Sequence, residues 1–534
     1  MKDERVKEYF APVRVLACEG VTGAQEQCEA CGEKPQASLY PAEHMLSAKG
    51  KGFVLFDFGR EYHGGVRLIT FLARGKVRIR FGESASEACA SVGEKGAGND
   101  HALRDFSVEL VSFSDTEYGC TGYRFVRLDF EEDSDISLTG VFGSCVYRAL
   151  ETLGHFECDD EEINGIWRTA ARTLHLNLQN MLWDGIKRDR LVWVGDMYPE
   201  MLTLTDLYGR DGCIGEALEF VRKNTRSRWM NGIPSYSAWW VLNALEYGAR
   251  TGDFSYAAAH TGEIREILRE FLGCVREGAL FLGEEEMSSY FDWPTHGTPD
   301  AGAGVHALVR FAALRAETVL PELGDDPAEA VRLLRALSAL PVKSDFKQVT
   351  AMQYLAGMAP ENAGKRLISG GARGMSSFQS YFILKAAAET AGTRRAFDMM
   401  REFFGGMLKL GATTFWEDFD VEWLNACPID RLPSPGEKDV HGDYGKFCYQ
   451  GFRHSLCHGW ASGVLPFLTE CVAGVRRTGV HSASLLPDLC GLEYLHARVP
   501  LADGILEFEC EPGRTKILSA PQGTDIVERW RSVL

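Results

Sequence analysis

Two short segments of this chain combine carboxylates with tryptophan, and both residue types suit chemistry on a sugar ring. Residues 183–196 contain three aspartates, three basic residues and two tryptophans, and Glu417 directly follows a tryptophan. Aromatic faces pack on the apolar side of a sugar, while carboxylates and guanidinium groups bind its hydroxyls. Clustered carboxylates also shift one another's pKa values, which can keep one of them protonated as a general acid.

The composition of the first segment also suits a purely structural role. In that alternative, Arg188 and Arg190 neutralise the aspartates at a junction between two helices. A third segment places His454 and His458 four residues apart, on one face of a helix predicted over 454–474. Zinc can use that spacing, but the sequence lacks the glutamate of His-Glu-x-x-His and an evident third ligand. We therefore predict neither a metal nor another cofactor.

Two further segments add acids and aromatic side chains. Residues 284–294 include Asp292 beside Trp293, and residues 234–240 offer an aromatic wall that ends at Trp240. The sequence contains no phosphate-binding loop, no dinucleotide-binding glycine fingerprint after a strand and no Gly-x-Ser-x-Gly elbow. Acid and aromatic loops without these motifs indicate a carbohydrate ligand.

The periodicity of apolar residues predicts three regions. Residues 1–150 show short runs with period-two alternation, which is typical of a β-sandwich. From Asp159 the apolar spacing becomes three and four, beginning with a helix predicted over 161–182. About a dozen such helices up to residue 477, without intervening strands, exclude a TIM barrel and leave a helical solenoid or a closed toroid. No fixed-period repeat supports the solenoid. Residues 478–534 return to a β pattern.

Composition narrows the class of partner. The chain has 534 residues and a formal net charge of -18, which repels nucleic acid. It shows neither a signal-peptide core nor an apolar stretch that could span a membrane, so we expect a cytoplasmic protein without a membrane partner. Its 15 cysteines are irregularly spaced, which favours reduced thiols, and the Cys28–Cys31 pair is predicted to be a loop without a metal.

In this order, the segments resemble the bacterial α-L-rhamnosidase family of inverting glycosidases. Residues 184–196 are similar to the family motif Asp-Cys-Pro-x-Arg-Asp-Glu-Arg-Leu-Gly-Trp-x-Gly-Asp, and residues 412–417 are similar to Ala-Thr-Thr-x-Trp-Glu. The other matching segments are 56–59 with 64–65, 80–83, 123–127 and 454–460. The resemblance implies an N-terminal β-sandwich, a central (α/α)6 toroid and a small C-terminal β domain, here over 1–150, 151–477 and 478–534.

The resemblance also implies two catalytic carboxylates. Glu417 matches the family's general base, which activates water. The family's general acid is a glutamate, but this chain is one residue shorter there, and counting back from Trp193 puts the acid position at Asp189. Aspartate is one methylene shorter, so its backbone must lie closer to the glycosidic oxygen. The substrate-binding residues expected around this pair are Asp184, Arg188, Trp193, Asp196, Trp240, Asp292, Trp293, Trp416 and His458.

Three alternatives remain open at this point. The first is an exo-glycosidase on the same toroid that acts on another deoxy sugar, an arabinoside or a uronide, whose carboxylate Arg188, Arg190 or Arg373 would meet. The second is a non-catalytic carbohydrate-binding toroid, which the missing glutamate favours. The third is a polysaccharide lyase, which would need a Tyr/His pair. A homo-oligomer is also compatible with the sequence.

Overall fold

The N-terminal region is one curled sheet of seven strands. The computed structural model describes residues 3–29, 36–283 and 287–528. The strands of this region are β1 (Arg5–Phe10), β2 (Arg14–Thr22), β3 (Leu46–Arg74), β4 (Lys76–Gly82), β5 (Asp105–Glu109), β6 (Asp115–Phe130) and β7 (Asp135–Arg148), with the short helix α1 (Ala85–Cys89) after β4. Their order is β1-β7-β3-β6-β4-β5, and β2 pairs with β3. The strand-rich character predicted for this region is confirmed.

The long strand β3 makes the sheet curl. Asp135 of β7 pairs with Lys49 near one end of β3 and with Arg74 at the other end, so β3 bends around β7. The bend requires two glycines, because a Cβ at Gly64 would lie 2.3 Å from the Ser144 carbonyl oxygen. At Gly65 it would lie 2.4 Å from the carbonyl oxygen of Tyr118. No larger residue fits these close approaches.

A helical region follows the sheet. Its helices are α2 (Glu161–Asn177), α3 (Met197–Tyr208), α4 (Cys213–Asn224), α5 (Pro234–Thr251), α6 (Ser255–Ala259), α7 (Thr261–Gly273), α8 (Pro299–Val319), α9 (Ala328–Ala336), α10 (Lys347–Leu355), α11 (Ala363–Ile368), α12 (Ser380–Ala391), α13 (Thr393–Lys409) and α14 (Val464–Phe467). Asp160 is the N-cap of α2, since its side chain accepts hydrogen bonds from the amides of Glu162 and Ile163. None of the described helices combines the length and apolar character needed to cross a bilayer.

Two predicted helices differ from the structure. The helix from residue 161 ends at Asn177 instead of 182, because the chain turns there and Leu178 pairs with Leu182 in an isolated bridge. The helix predicted over 454–474 is wrong in its first part. Residues 454–458 are irregular, a 3-10 turn spans Gly459–Gly463, and only then do α14 and a π-helical turn follow. His454 and His458 therefore do not share a helical face.

Short strands complete the fold. They are β8 (His155–Cys158), β9 (Val275–Arg276), β10 (Ala279–Leu280), β11 (Val475–Gly479), β12 (Ser482–Leu485), β13 (Leu495–Leu501), β14 (Gly504–Glu511), β15 (Arg514–Ser519) and β16 (Asp525–Glu528). Strand β8, from just before the helices, pairs with β13 near the C-terminus. One apolar core runs through the helices and the C-terminal strands, and a second core fills the curled sheet. The second core also includes Ile186 and Cys457, which flank the predicted site.

Candidate active site

A cavity lies between the loops that carry the two predicted catalytic carboxylates. Its lining residues are Asp184, Arg188, Asp189, Trp193, Asp196, Ile233, Tyr236, Met287, Tyr290, Trp293, Glu417, Arg453, His458 and Trp460. Another cavity lies beside α8 and α10 and contains none of the predicted site residues. The carboxylate and aromatic segments identified in the sequence thus converge on the first cavity.

Two hydrogen bonds at Asp184 hold the loop that carries Asp189. The Asp184 carboxylate accepts a hydrogen bond from the Leu191 amide at 2.9 Å, and the Asp184 carbonyl accepts one from the Gly459 amide at 2.7 Å. Within this loop, Asp189 and Arg190 both adopt left-handed backbone conformations, with φ of 59° and 58°. Such conformations are uncommon for residues other than glycine, and they turn the Asp189 side chain toward the cavity mouth.

The second half of the same loop is supported by α5. The Asn243 side chain donates to the Val194 carbonyl at 2.9 Å, and the Tyr236 hydroxyl donates to the Asp196 carboxylate at 3.0 Å. The Tyr236 ring also meets Trp193 edge to face, with ring centroids 5.9 Å apart. Helix α5 begins at Pro234, so Tyr236 lies in its first turn and lines the cavity.

Glu417 is held by backbone groups and by buried side chains. Its amide donates to the Ser455 carbonyl at 3.0 Å, and the Ser455 amide donates back to Glu417 Oε2 at the same distance. The Glu417 carbonyl accepts from the Trp460 indole at 3.1 Å and from the Ser377 hydroxyl. The side chain is only 2% exposed. Its carboxylate therefore has a fixed position in the cavity wall.

One guanidinium group connects the two predicted catalytic carboxylates. Arg188 Nη2 donates to Glu417 Oε1, and Arg188 Nη1 lies 3.5 Å from Asp189 Oδ1. The Asp189 side chain is 22% exposed, so the contact with Arg188 leaves it open to the cavity and to solvent. Both carboxylates thus face one space and lie within the reach of a single guanidinium group.

A second group of acids lies deeper in the cavity. Burial, more than the neighbouring carboxylates, raises the pKa of Asp184 well above its ordinary value, and burial raises the pKa of Asp196 to about 8. His458 Nε2 lies 3.8 Å from Glu417 Oε1 and 4.0 Å from one carboxylate oxygen of each aspartate. Burial, reinforced by the positive charge of Arg188, lowers the pKa of His458 well below its ordinary value. A neutral imidazole among protonated carboxyls can both donate to and accept from sugar hydroxyls.

The geometry also bears on metal binding. Asp184, Asp196 and His458 offer ligand atoms within 4.8 Å of one another, so these three residues are the group in this cavity that a metal ion could use. Glu83, Glu87 and His441 form a similar group nearby, but the Lys187 ammonium lies 2.9 Å from the Glu83 carboxylate there. A lysine already supplies the positive charge that a cation would bring. The expectation of no metal stays a prediction.

Lys187 ties the site loops to the sheet region. Its ammonium contacts Glu83, lies 3.3 Å from Glu87, and donates to the carbonyls of Phe452 at 2.9 Å and His454 at 2.6 Å. Burial alone would lower the pKa of Lys187, but the two glutamates outweigh that effect and raise it. Burial raises the pKa of Glu83 to about 7. This cluster fixes Lys187, which precedes Arg188 in the chain. It also fixes the loop around Phe452 and His454, which leads to Ser455, the hydrogen-bond partner of Glu417.

Three predicted substrate-binding residues lie away from the cavity. Trp240 is fully buried and donates its indole hydrogen to the Leu218 carbonyl at 3.2 Å, so it is a core residue. Trp416 packs edge to face on Phe419. Asp292 accepts hydrogen bonds from the Trp293 amide and the Ser376 hydroxyl and stabilises a turn. These three placements correct the sequence-based prediction, because a pattern of acids and tryptophans cannot tell which side chains turn inward.

The structure also adds cavity residues that sequence reasoning did not single out. Tyr290, inside the segment 284–294, and Arg453, directly before the segment 454–460, both line the cavity. His101 contacts Asp189 from the N-terminal sheet region, with 2.9 Å between the His101 Nδ1 and Asp189 Oδ1 atoms. No local sequence signal marks His101, because it lies in a loop of glycine, asparagine and aspartate. Residues 284–286 and Cys31, which the sequence analysis named, lie outside the described residues.

Comparison with known proteins agrees with the motifs. Residues 151–253 match the family model described as the bacterial alpha-L-rhamnosidase 6 hairpin glycosidase domain. That stretch covers α2 to α5 and includes the Asp189 loop, whereas Glu417 lies outside it. No curated protein sequence matches the chain. The resemblance to the bacterial α-L-rhamnosidase family that the motifs indicated is confirmed by this match.

Several solved structures share the fold. A GH78 family rhamnosidase of Bacillus sp. GL1 is 19% identical over 92% of this chain and 55% of its own, with a TM-score of 0.73. A rhamnosidase from Klebsiella oxytoca, with rhamnose bound, is 16% identical over 87% of this chain and 96% of its own, with a TM-score of 0.66. An α-L-rhamnosidase from Dictyoglumus thermophilum is 16% identical over 97% of this chain and 58% of its own, with a TM-score of 0.69. This chain therefore spans little more than half the length of two of these three proteins.

Proposed function

We propose that this chain is an α-L-rhamnosidase-like glycoside hydrolase that releases a terminal sugar with inversion of configuration. The observation that carries the proposal is that Asp189 and Glu417 line one cavity and contact different nitrogens of Arg188. An inverting enzyme protonates the leaving oxygen with one carboxyl group and activates water with another, about 6.5–9.5 Å away. The partly exposed Asp189 suits the acid, and the buried, backbone-held Glu417 suits the base.

The rest of the cavity suits a deoxy sugar. Trp193, Trp293, Tyr236 and Tyr290 supply aromatic walls, against which a ring face and a methyl group can pack. On our proposal, Asp184, Asp196 and His458 bind the hydroxyl groups at the closed end. Their pKa shifts support this role, because protonated carboxyls and a neutral imidazole pair with hydroxyls without leaving a buried charge.

We also propose that the helical region is the (α/α)6 toroid of the family and that the regions divide at residues 150 and 477. The family match over 151–253 and the fold similarity over most of the chain support this reading. On this view the curled sheet is the β-sandwich, and the strands after residue 478 form the C-terminal β domain. A cytoplasmic location and a homo-oligomer remain predictions.

A second candidate function is an exo-glycosidase that acts on a uronide. Arg453 favours it, because this residue lines the cavity and pairs with Asp100 at 3.3 Å, so a sugar carboxylate could compete for its guanidinium group. Of the three arginines expected to play that role, Arg188 is engaged by Glu417, and Arg373 is 68% exposed outside the cavity. Arg190 donates to the Cys120 carbonyl at 3.0 Å and is not among the cavity-lining residues. A uronidase would therefore depend on Arg453.

A panel of p-nitrophenyl glycosides tests these functions. We expect the purified protein to hydrolyse the α-L-rhamnoside, with no loss of rate when a chelator is added. Hydrolysis of a glucuronide alone would establish the uronide candidate, and hydrolysis of an α-L-arabinoside alone would assign arabinoside specificity. No hydrolysis across the panel, combined with binding of free sugar, would contradict the enzymatic function and support a carbohydrate-binding toroid. The Glu417→Gln variant serves as the blank for contaminating activities.

A further inference from the structure

A loop of the N-terminal sheet region reaches the predicted general acid. His101 lies just before β5, and its Nδ1 atom is 2.6 Å from the backbone nitrogen of Asp189 and 2.9 Å from Asp189 Oδ1. The His101 side chain is 35% exposed, and the Asp189 side chain is 22% exposed, so the pair lies at the cavity mouth. The acid therefore has a contact that the helical region does not supply.

The hydrogen-bond chemistry of this contact is specific. The Asp189 amide donates to His101 Nδ1, and a ring nitrogen that accepts such a bond carries no hydrogen of its own. The ring nitrogen has one in-plane lone pair, so this bond uses its capacity as an acceptor, and Asp189 Oδ1 lies beside it at 2.9 Å. The contact therefore holds the backbone of Asp189, and the carboxyl group remains available to the substrate.

The loop that presents His101 is anchored to the sheet. The Asn99 side-chain oxygen accepts from the amides of Arg104 and Asp105 at 3.1 Å each, which closes the loop around His101. The Arg104 guanidinium group donates to the carbonyls of Glu87 at 2.8 Å and Phe81 at 3.2 Å, in α1 and β4. The position of His101 is thus fixed by the N-terminal region.

We propose that His101 is a positioning residue for the general acid of the hydrolase proposed above, on which this inference rests. Asp189 is one methylene shorter than the glutamate of the family motif, so its backbone must approach the leaving oxygen more closely. The left-handed turn at Asp189 and Arg190 provides that approach, and His101 stabilises it by accepting the Asp189 amide hydrogen.

The step that His101 supports is the departure of the leaving group. The Asp189 O–H gives its proton to the glycosidic oxygen while the bond from that oxygen to the anomeric carbon breaks. Water forms the new bond to the carbon and gives its proton to Glu417. His101 exchanges no proton with the substrate, so its loss affects only the acid-dependent half of the reaction.

Two variants remove the acceptor. His101→Gly suits the left-handed backbone at this position, where φ is 67°, and His101→Ala is a second acceptor-less variant in case the first does not fold. His101→Asn keeps an acceptor in a residue that tolerates this φ, so it is the conservative rescue. The control is His481→Asn, because His481 pairs with Asp503 at 2.8 Å on the exposed C-terminal strands.

The readout is the dependence on the leaving group. Kinetics are measured with the phenyl and the 2,4-dinitrophenyl glycosides of the preferred sugar, since the second leaving group departs with little help from an acid. We expect the acceptor-less variants to lose about tenfold or more in kcat on the phenyl glycoside, with KM and the dinitrophenyl rate little changed. His101→Asn should recover much of the loss, and His481→Asn should match the wild type.

Other outcomes separate the two proposals. Equal losses on both glycosides, or no loss on either, would overturn the role of His101 while leaving the hydrolase function in place. A wild-type protein that hydrolyses neither glycoside would overturn the proposed function and this inference with it.

Discussion

The two loops that supply the carboxylates are built in different ways. Glu417 is 2% exposed and is fixed by reciprocal hydrogen bonds with the backbone of Ser455. Asp189 lies on a left-handed turn, is more exposed, and contacts side chains from two regions, Arg188 and His101. The base is therefore buried in the cavity wall and bonded to the backbone of a neighbouring loop, whereas the acid lies at the cavity mouth and contacts a side chain of the sheet region directly.

This difference is consistent with the chemistry of the two roles. A base that activates one water molecule benefits from a fixed, buried position in the cavity wall, because hydrogen-bond geometry decides its efficiency. An acid must reach an oxygen of the substrate and regain its proton after each turnover, which favours contact with solvent. If Glu417 acts as the base and Asp189 as the acid, variants in the two loops should differ in their effects.

Removal of the base should have the largest effect. Glu417→Gln preserves size but cannot accept a proton from water, so we expect turnover to fall by about two or more powers of ten. The loss should be the same for good and poor leaving groups, because attack by water is impaired in both cases. Glu422→Gln, an exposed glutamate on the following turn, is the control for the chemical change. Full activity of Glu417→Gln would exclude this residue as the base.

Removal of the acid should have an effect that depends on the substrate. Asp189→Asn cannot protonate the leaving oxygen, and we expect a loss of about 10²–10⁴-fold with a phenyl glycoside. The loss should be much smaller with a 2,4-dinitrophenyl glycoside, whose leaving group needs little protonation. The exposed Asp398→Asn provides a matched control. Equal losses on both substrates would assign Asp189 to substrate binding.

A change in the buried cluster of Lys187, Glu83 and Glu87 should mainly lower the stability of the protein. Lys187→Met leaves the buried carboxylates of Glu83 and Glu87 without their positive partner, which should cost about 3–5 kcal/mol of unfolding free energy. Chemical denaturation provides the measurement. Lys223→Met removes an exposed pair with Glu219 and should cost about 0–1 kcal/mol. Similar costs for the two variants would show that the buried cluster does not hold the loops together.

A smaller effect is expected in the pH dependence of stability. Burial raises the pKa of Asp292 from 3.8 to about 7. The pKa of Asp292 is higher in the folded state than in the unfolded state. Its contribution to the free energy of unfolding is therefore complete below pH 3.8 and is lost as the pH rises through about 7. Asp292→Asn should therefore flatten the decline in unfolding free energy over that range, whereas the exposed Asp133→Asn should not. An unchanged slope would show that Asp292 is not a protonated buried group.

The sequence was sufficient to predict the order of β and helical regions and the two segments that form the cavity. It succeeded at the start of the helical region, where the helix predicted from residue 161 begins at Glu161. It failed for the helix predicted over 454–474, because hydrogen bonds from distant residues, such as that between the Glu417 amide and the Ser455 carbonyl, replace helical ones there.

Side-chain direction could not be predicted from the motifs. Trp193 and Trp240 are both tryptophans beside acids or aromatics, yet one lines the cavity and the other is buried in the core. His101 is separated from Asp189 by 88 positions in the chain. Its role depends on the packing of the sheet against the helices, which no local pattern encodes.

The stereochemistry of the product tests the central claim most directly. Proton NMR can follow hydrolysis of p-nitrophenyl α-L-rhamnoside from the first minutes, before the anomers of free rhamnose equilibrate. If Asp189 and Glu417 act as acid and base across one sugar and one water molecule, the β-anomer should appear first. Early accumulation of the α-anomer would contradict the account, because retention requires a carboxylate nucleophile about 5–5.5 Å from the acid.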